Sequence, residues 1–462
     1  MAKDAQLIGL EEAMQLGREE NIYYHREHCN PRLANLLEVV EADSPLVRAE
    51  GNYFWDADNV RYIDFMSGFG AASLGHNPPR VVEVLEKVGH MPNLVEGLAL
   101  MLGALCHNLA ALAPGDLKRV YVANSGAEVI DASIKVARAA TGRTKMITCR
   151  GSFHGRTVGA LSLMDNKAFH DPFTPLLQDV VFVPFGDIPA LERALRKNKA
   201  AGFILEPVQG EGGFVPSPPG YLRAARDLCS RYGTLMIADE IQCGLCRTGH
   251  FFAVDVESVI PDILLLGKTL GGGVMPLSAL LTTDDLYFAS KGDTPRSPLH
   301  IPTYGGNTRA CAVGIVVLEE LIEGNMAQRV QESGDYLMGR LKALQAEQPL
   351  IAEVRGRGLM IGVEFAPATS GLGTLVTAGM ANKLSREYLA GIVIKDLLSR
   401  HRIMTAYTLN NVNTLRVQPP YTVTTEEMDT FVNALAQTLD EIGSFAKAAV
   451  KSIPDMMRLR RA

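Results

Sequence analysis

Short apolar runs alternate with helical patterns through the middle of the chain. Between about residue 95 and residue 325, each run is rich in Val, Ile and Leu and is followed by an amphipathic segment or a turn. The runs cover residues 119–123, 145–149, 180–184, 202–206, 234–238 and 263–267. Continuous apolar runs of this length, separated by helices, are typical of buried parallel strands. The pattern therefore predicts an α/β layered domain.

The helical patterns have recognisable ends. One helix is predicted over residues 221–232, where Gly233 stops it, and another over residues 127–140, directly after Ser125-Gly126. Beyond residue 340, a glycine-rich turn at 355–358 leads into a strand at 359–365. Residues 424–427 read Thr-Thr-Glu-Glu, which is a capping box, and apolar residues follow at helical spacing up to 442.

The change of pattern along the chain predicts its domains. Residues 1–50 look helical and polar, and turn signals follow them. We expect residues 91–335 to form a large domain. We expect residues 1–90 and 336–462 to contribute to a smaller α+β domain. A chain of 462 residues is long enough for such a division.

Composition narrows the class of protein. A net charge of -6 gives no reason to expect nucleic acid as a partner. The apolar stretch 97–106 is far shorter than the roughly 20 residues that a membrane span needs. The first residues lack the basic and apolar regions of a signal peptide. The seven scattered cysteines suggest reduced thiols, and we expect a cytoplasmic protein.

Chemical groups follow the predicted strands. Ligands bind at the carboxyl ends of the strands in an open parallel sheet, so the residues after each run are candidates. They comprise Ser125 and Gly126, Phe153 and His154, Glu206, Asp239 and Lys268. Polar groups that several strand ends direct at one crevice are stronger evidence for a binding site than any single motif.

Lys268 is the most informative of these residues. A lysine amine becomes nucleophilic when burial disfavours its charged form, and a Schiff base with an aldehyde cofactor is the usual use. A lysine whose head reaches solvent is the ordinary alternative. The stretch Gly267-Lys268-Thr269 also resembles the end of a phosphate-binding loop. That loop needs a glycine where this chain has Asp262, so we reject a nucleotide site.

The other candidates have both a functional and an ordinary interpretation. Asp239 suits a protonated pyridine nitrogen, but an Asp at a strand end is often a helix cap. Ser125-Gly126 at a helix start suits a phosphate, although such pairs often only cap helices. Phe153 suits stacking on a flat ring, yet a single aromatic is more often core. For Cys243 and Cys246 we expect no metal, because no second Cys or His pair stands at metal spacing.

These residues resemble the class III, fold-type-I aminotransferases, and within them the bacterial putrescine branch. The resemblance extends from about residue 20 to about residue 450 and is carried by residues 62–79, 124–128, 152–157, 206–213, 238–249, 261–273, 303–307, 356–365 and 408–420. It implies a mainly parallel seven-stranded sheet covered by helices, a smaller α+β domain, and pyridoxal 5'-phosphate as cofactor.

The resemblance also implies a role for each matching residue. Lys268 would form the Schiff base and move the proton, and Asp239 would pair with the pyridine nitrogen. Other residues would hold the cofactor, namely Ser125, Gly126 and Ala127 at the phosphate, Phe153 and His154 at the ring, Glu206, and Gln242 near the phenolic oxygen. Thr303 would reach the phosphate of a neighbouring subunit, which implies a homodimer, with a tetramer left open. Glu211 and Arg416 would accept an amine and a carboxylate in turn.

Several positions depart from the family pattern. Ala127 stands where a Thr or Ser hydroxyl is usual, and Thr308 replaces a proline. Residues 91–102 are more apolar than in the putrescine branch. If they line the substrate entrance, the amine donor is longer and more apolar than putrescine. Alternatively, they pack in a dimer interface.

The expected activity is transfer of a terminal amino group from a diamine or alkyl amine to a keto acid such as 2-oxoglutarate or pyruvate. An enzyme of the ornithine, acetylornithine or 4-aminobutyrate type is the alternative. A decarboxylase or aminomutase is a further one, and it would need no keto acid. A binding protein without activity is disfavoured, because Lys268, Asp239 and Phe153 are all present. A nicotinamide dehydrogenase would need a strand–GxGxxG–helix unit that this sequence lacks.

Overall fold

The computed structural model describes residues 7–95, 97–292, 300–366 and 380–442, and the side chains of 380–388 are outside this description. The strands in chain order are β1 Leu46–Glu50, β2 Tyr53–Asp56, β3 Arg61–Asp64, β4 Arg119–Ala123, β5 Met146–Cys149, β6 Val180–Val183, β7 Gly202–Leu205, β8 Val208–Gln209, β9 Val215–Pro216, β10 Leu235–Asp239, β11 Ile263–Leu266, β12 Ser278–Thr282, β13 Ile351–Arg357, β14 Met360–Phe365, β15 Ile403–Met404, β16 Ala406–Tyr407 and β17 Thr414–Val417.

Helices fill most of the chain between the strands. They are α1 Leu10–Ala13, α2 Arg18–Tyr24, α3 Pro31–Val39, α4 Ser67–Gly70, α5 Pro79–Lys87, α6 Leu100–Leu112, α7 Gly126–Thr141, α8 Val158–Ser162, α9 Lys167–His170, α10 Ile188–Asn198, α11 Tyr221–Tyr232, α12 Asp284–Lys291, α13 Thr308–Glu323, α14 Met326–Glu347, α15 Met380–Ser399 and α16 Thr425–Ile442. Element α4 is a single turn with left-handed backbone angles, and Phe69 has φ 57°. A short π-helix spans His25–Cys29, and 3₁₀ turns include Ala253–Glu257 and Lys268–Gly271.

The central sheet has seven strands in the order β4-β12-β11-β10-β7-β5-β6. All six predicted strands are present in it, which confirms the fold class. Strand β12 was missed, and it is antiparallel to both of its neighbours. Its sequence, Ser-Ala-Leu-Leu-Thr, is buried at every position, so no alternation of apolar and polar residues distinguishes it.

Alternate side chains of the sheet enter two apolar clusters on its two faces. Met236 and Leu264 belong to the larger cluster, whereas Ile237 and Leu265 belong to the other. This alternation follows from the two-residue period of a strand. Both faces are covered, so the strands are apolar throughout and the polar side chains collect at the strand ends.

Two smaller four-stranded sheets lie outside the central one, and the first of them joins the two ends of the chain. The first has the order β1-β2-β3-β15, and Ile63 of β3 pairs in parallel with Ile403 of β15. The second has the order β13-β14-β17-β16. Residues 351–357 form a full strand of a hairpin, so the predicted glycine-rich turn at 355–358 was too long. The turn itself uses Gly358, whose φ is 55°.

The predicted helix ends are confirmed. Helix α11 has the predicted bounds and is capped by Gly233 with φ 60°. Helix α16 begins with the predicted capping box, in which Thr424 Oγ1 accepts from Glu427 N and Glu427 Oε2 accepts from Thr424 N. The expected polar helices at the N-terminus are α1 to α3, and β1 follows them.

Candidate active site

A cavity of about 320 Å³ opens at the carboxyl ends of the central strands. Eight of the residues singled out from the sequence line it, namely Gly126, Ala127, Phe153, His154, Glu206, Asp239, Gln242 and Lys268. They come from four strand ends and one helix start, which the sheet brings to one edge. Ala71, Asn124, Gly155, Ile241, Cys243, Met275, Pro276 and Leu277 complete the lining.

Asp239 is the last residue of β10 and its carboxylate is buried. Its Oδ2 lies 2.7 Å from Nδ1 of His154, and its Oδ1 accepts from the Ile241 amide at 3.1 Å. On the other side of the ring, Nε2 of His154 lies 3.3 Å from Oγ1 of Thr148. The imidazole is buried as well, so it fixes the position of the carboxylate from beneath the cavity.

Glu206 follows β7 and ties two loops to the sheet. Its Oε1 accepts from the Phe153 amide and its Oε2 from the Gly210 amide, each at 2.9 Å. Burial raises the pKa of Glu206 to about 7; His154 lowers this pKa and Asp239 raises it. Glu206 thereby holds the loop that carries Phe153 and the loop that begins at Gly210 in fixed positions relative to the sheet.

Lys268 begins the turn after β11, and its backbone is left-handed with φ 41°. A positive φ is rare for a residue with a side chain and costs free energy, so the fold holds Lys268 in an unusual conformation. The side chain is partly exposed because it opens into the cavity. The pKa of Lys268 is lowered to about 8, mainly by burial; Glu211 opposes this shift, Arg416 adds to it, and Asp239 and Glu206 oppose it.

The first turn of α7 presents amide groups to the cavity. Gly126 and Ala127 line it, and the first amides of a helix have no partner within the helix. Ser125 is the N-cap, and its own amide points to Oε2 of Glu128 at 3.3 Å. An anion in the cavity would therefore meet Gly126 and Ala127 before Ser125, together with the positive end of the helix dipole.

Gln242 lies between the cavity and the smaller sheets. Its Nε2 donates to the carbonyl of Phe69 at 3.2 Å and to Oε1 of Gln418 at 3.3 Å. Its Oε1 lies so close to Gly210 that a Cβ there would stand 1.8 Å away. The close approach requires glycine at position 210 and holds the amide of Gln242 in one orientation.

Glu211 and Arg416 form a buried ion pair. Oε1 of Glu211 lies 2.5 Å from Nη2 of Arg416, and neither side chain is more than 6% exposed. The Leu409 amide donates to the other oxygen of Glu211 at 2.9 Å. Burial raises the pKa of Glu211, but Arg416 and Lys268 lower it more, so its pKa lies below the ordinary value. Both residues stand outside the lining of the cavity, close enough to influence Lys268.

Thr303 is exposed and is not among the residues around the cavity. The chain that follows Thr303 contacts a second segment, because the amide of Thr308 donates to Asn93 O at 3.0 Å and its hydroxyl to Pro92 O at 2.6 Å. Apolar side chains project from both segments, including Leu94, Val95, Leu98, Leu100, Ile301 and Tyr304. We call these six residues the apolar patch; Glu96 is outside the described residues.

The sequence alone did not identify three residues around the ion pair. Phe69 and Phe214 lie on the Arg416 guanidinium, with ring centres 5.1 and 5.0 Å from its central carbon. Gln418 accepts from Nη1 of Arg416 at 3.1 Å. Gln418 stands two residues after Arg416, so the two-residue period of β17 could have placed both on one face. Nothing in the sequence around Phe69 or Phe214 indicates the contact.

Residues 38–439 match the family model described as Aminotransferase class-III. Aminotransferase PigE from Serratia sp. (strain ATCC 39006) is 32% identical over 470 residues, which cover 94% of this chain and 55% of PigE. The chain thus spans about half the length of that relative.

Solved structures with the same fold include two that are also similar in sequence. The ornithine aminotransferase from Toxoplasma gondii ME49 superposes with a TM-score of 0.82 at 30% identity, over 94% of this chain and 97% of that one. The acetylornithine aminotransferase from Elizabethkingia anophelis superposes with a TM-score of 0.75 at 29% identity, over 92% and 99% of the two chains. Within the described ranges, every helix is too short or too polar to cross a membrane.

Proposed function

Because this chain belongs to the class III aminotransferases, we propose that it moves a terminal amino group from a diamine or alkyl amine to a keto acid such as 2-oxoglutarate or pyruvate. The chain is a fold-type-I aminotransferase that uses pyridoxal phosphate. The observation that carries the substrate proposal is the buried pair of Glu211 and Arg416 beside Lys268. A site that contains both a carboxylate and a guanidinium can bind a cationic amine and, in the second half-reaction, an anionic keto acid.

The residues of the cavity fit pyridoxal phosphate. The cofactor supplies an aldehyde that bonds the amine and a ring that withdraws electrons from the neighbouring carbon. The free amides of Gly126 and Ala127 suit its phosphate, the ring of Phe153 suits its flat face, and the buried carboxylate of Asp239 suits its ring nitrogen. Lys268 lines the same cavity. We infer that these residues hold the cofactor.

Lys268 is the residue that we propose moves the proton. Its Nζ takes the proton from the carbon that bears the substrate amine and later returns it. A base must be neutral to do so, and burial gives Lys268 a pKa of about 8, so a useful fraction is neutral near pH 7. The left-handed backbone at Lys268 and the rigid turn that follows it restrict where the amine can reach.

Asp239 and His154 keep a positive charge stable at the bottom of the cavity. The imidazole of His154 and the Ile241 amide hold the Asp239 carboxylate in place, so that it can face a cation. His154 acts through Asp239 and is a positioning residue. A carboxylate held in place by two donors loses less freedom when the ring nitrogen arrives.

Glu211 and Arg416 would exchange partners during the two half-reactions. With an amine donor, Glu211 neutralises Arg416, as in the structure. With a keto acid, Arg416 binds the carboxylate. Because breaking a buried ion pair costs free energy unless a new partner replaces the old one, only a carboxylate can take the place of Glu211 efficiently.

A homodimer accounts for the apolar patch. A patch of this kind on a single chain indicates a protein surface that another surface covers. We propose that a second copy covers it and that Thr303, next to the patch, reaches the phosphate held by that copy. This is also the ordinary explanation for the apolar residues 91–102. The other explanation is that residues 91–102 line an apolar substrate entrance.

An ornithine-type aminotransferase is the second candidate. The observation that favours it is the similarity to the Toxoplasma gondii ornithine aminotransferase, at 30% identity over nearly the whole chain. Ornithine carries its carboxylate at the end opposite the terminal amine that reacts, so this carboxylate would lie elsewhere than the one next to the keto group of the acceptor. A diamine such as putrescine places no carboxylate in the site during the first half-reaction.

The test is to record the visible absorbance of the holoenzyme and to add one donor at a time without acceptor. We expect putrescine, cadaverine or a long-chain alkylamine to bleach the yellow band, and 2-oxoglutarate or pyruvate to restore it. Bleaching by ornithine but by none of these amines would favour the second candidate. Retention of the band with every amine would contradict both.

A further inference from the structure

Gln418 connects the ion pair to the cofactor cavity. It is fully buried, and its amide oxygen accepts two hydrogen bonds, from Nη1 of Arg416 at 3.1 Å and from Nε2 of Gln242 at 3.3 Å. Gln242 lines the cavity, whereas Arg416 lies behind it. One oxygen atom thus fixes the position of the guanidinium relative to the cavity wall.

The backbone of Gln418 is held as firmly as its oxygen. Its amide donates to Phe65 O at 2.9 Å, and its carbonyl accepts from Ser67 Oγ at 2.7 Å. Its side-chain Nε2 is buried without a partner and lies against Gly70, where a Cβ would stand only 2.7 Å away. Because Arg416 Nη1 and Gln242 Nε2 are both donors, the surroundings require an acceptor oxygen at this position.

The hydrogen bonds of Arg416 leave one side of the guanidinium incomplete. Nη1 donates to Gln418, and Nη2 donates to Glu211, while Nε is buried and has no acceptor. The N–H groups of Nε and Nη2 are parallel and form the fork that binds a carboxylate through both of its oxygens. Glu211 uses only one half of this fork, because its second oxygen accepts from Leu409.

We propose that Gln418 is a positioning residue that reserves the Nε–Nη2 fork of Arg416 for the carboxylate of the keto-acid acceptor. This inference rests on the function proposed above. By occupying Nη1, Gln418 excludes the other fork, which Nη1 and Nη2 would form. The acceptor carboxylate then satisfies the Nε that the Glu211 pair leaves unpaired. Phe69 and Phe214 hold the guanidinium plane, so it does not rotate to offer a different edge.

The donor and the acceptor should therefore depend on Gln418 to different degrees. A diamine leaves the pair of Arg416 and Glu211 in place, so its half-reaction does not need the fork. The half-reaction of a keto acid needs the fork, because the fork binds its carboxylate. Loss of the Gln418 oxygen frees Nη1. The guanidinium can then bind the carboxylate through Nε and Nη2 or through Nη1 and Nη2.

The experiment compares the two half-reactions of holoenzyme carrying Gln418→Met, which keeps the length of the side chain and removes both amide atoms. We expect the KM for 2-oxoglutarate to rise roughly tenfold, as for one lost hydrogen bond to a charged group, with its maximal rate nearly unchanged. The putrescine half-reaction should change much less than the keto-acid half-reaction, because the pair of Arg416 and Glu211 stays in place when the amine binds. Gln328→Met, on an exposed face of α14, is the matched control.

A second readout does not depend on turnover. Glutarate carries the carboxylates of the acceptor without its keto group, and its dissociation constant can be measured by calorimetry. We expect Gln418→Met to weaken glutarate binding by roughly tenfold while the absorbance of the bound cofactor stays the same. Gln418→Leu also removes both amide atoms but shortens the side chain, so it should weaken glutarate binding to a similar degree. It provides the test if Gln418→Met fails to fold.

Two results would overturn the proposal. Equal losses in both half-reactions would indicate a general structural role, and unchanged glutarate binding in both variants would show that Gln418 does not position Arg416. Failure of the proposed function is a separate result. If unmodified enzyme bleaches with none of the amines, the donor class is wrong, and the glutarate measurement still decides the role of Gln418.

Discussion

The two ends of the site are built in different ways. The cofactor end takes its polar residues from the ends of neighbouring strands of one sheet, with Glu206 after β7, Asp239 at the end of β10 and Lys268 after β11. The substrate end joins separate parts of the chain. Arg416 lies on β17 of a different sheet, and Glu211 lies in the loop between β8 and β9.

This difference in construction separates the end that carries out the chemical step from the end that selects the substrate. Side chains at one sheet edge keep their mutual positions because backbone hydrogen bonds fix the strands. The substrate end is held by side-chain contacts between sheets, such as the pair of Glu211 and Arg416 and the shared oxygen of Gln418. Changes there can alter which amine or acid is accepted, and the cofactor can remain in place.

The strongest test of the cofactor end is Lys268→Ala. We expect at least about a thousandfold loss of transamination, because no other group can supply the amine. The yellow band of the covalently bound cofactor should also disappear. Activity assays and absorbance spectra measure the two effects, and Lys342→Ala on the exposed face of α14 is the control. If the variant keeps the band and bleaches with amines, Lys268 is not the cofactor lysine.

Asp239→Asn should have the next largest effect. The change leaves the shape of the side chain but removes the charge that balances the ring nitrogen, so we expect kcat to fall on the order of a hundredfold. His154 then faces an amide and loses its charged partner. Stopped-flow measurements of both half-reactions should show equal losses. A loss confined to the keto-acid half-reaction would contradict the division between the two ends.

Glu211→Gln tests whether the charge of Glu211, at the substrate end, changes the pKa of Lys268, at the cofactor end. Burial lowers the pKa of Lys268 to about 8, and Glu211 acts in the opposite direction. Below pH 8 the lysine is mostly protonated and unreactive. The rate at which apoenzyme bonds pyridoxal phosphate should therefore rise about tenfold per pH unit up to pH 8 and then level off. In Glu211→Gln the levelling should begin at a lower pH. A profile that does not move would mean that the ends are electrostatically independent.

Asn410→Ala should have the smallest effect. Its Nδ2 donates to the carbonyls of Gly151 and Ser152 at 3.0 and 3.1 Å, and its Oδ1 accepts from Asn166. Asn410 thereby links the substrate end to the loop that carries Phe153. We expect the dissociation constant of pyridoxal phosphate to rise only a few fold, since Glu206 still holds the Phe153 amide. Fluorescence titration of apoenzyme measures it, and a tenfold or larger change would show that the loop depends on both ends.

The sequence alone determined the cofactor end to a large degree. An apolar run predicts a buried strand, and in a parallel sheet the residue after the strand must lie at the binding edge. Asp239, Glu206, His154 and Lys268 were found in this way, and the cavity lining includes all four. Strand β12 escaped because a buried antiparallel strand of small and apolar residues carries no periodic signal.

Only the tertiary structure decided how the substrate end is assembled. Family resemblance named Glu211 and Arg416, but not the aromatic rings that enclose the guanidinium or the single oxygen shared by Arg416 and Gln242. The contacts of Phe69 and Phe214 with Arg416, and of Gln242 with Gln418, join residues more than 100 positions apart in the chain; Gln242 and Gln418 are 176 apart. Local spacing contains no information on them. They exist because the smaller sheet packs against the strand ends of the large one, and only that packing brings their polar atoms within hydrogen-bonding distance.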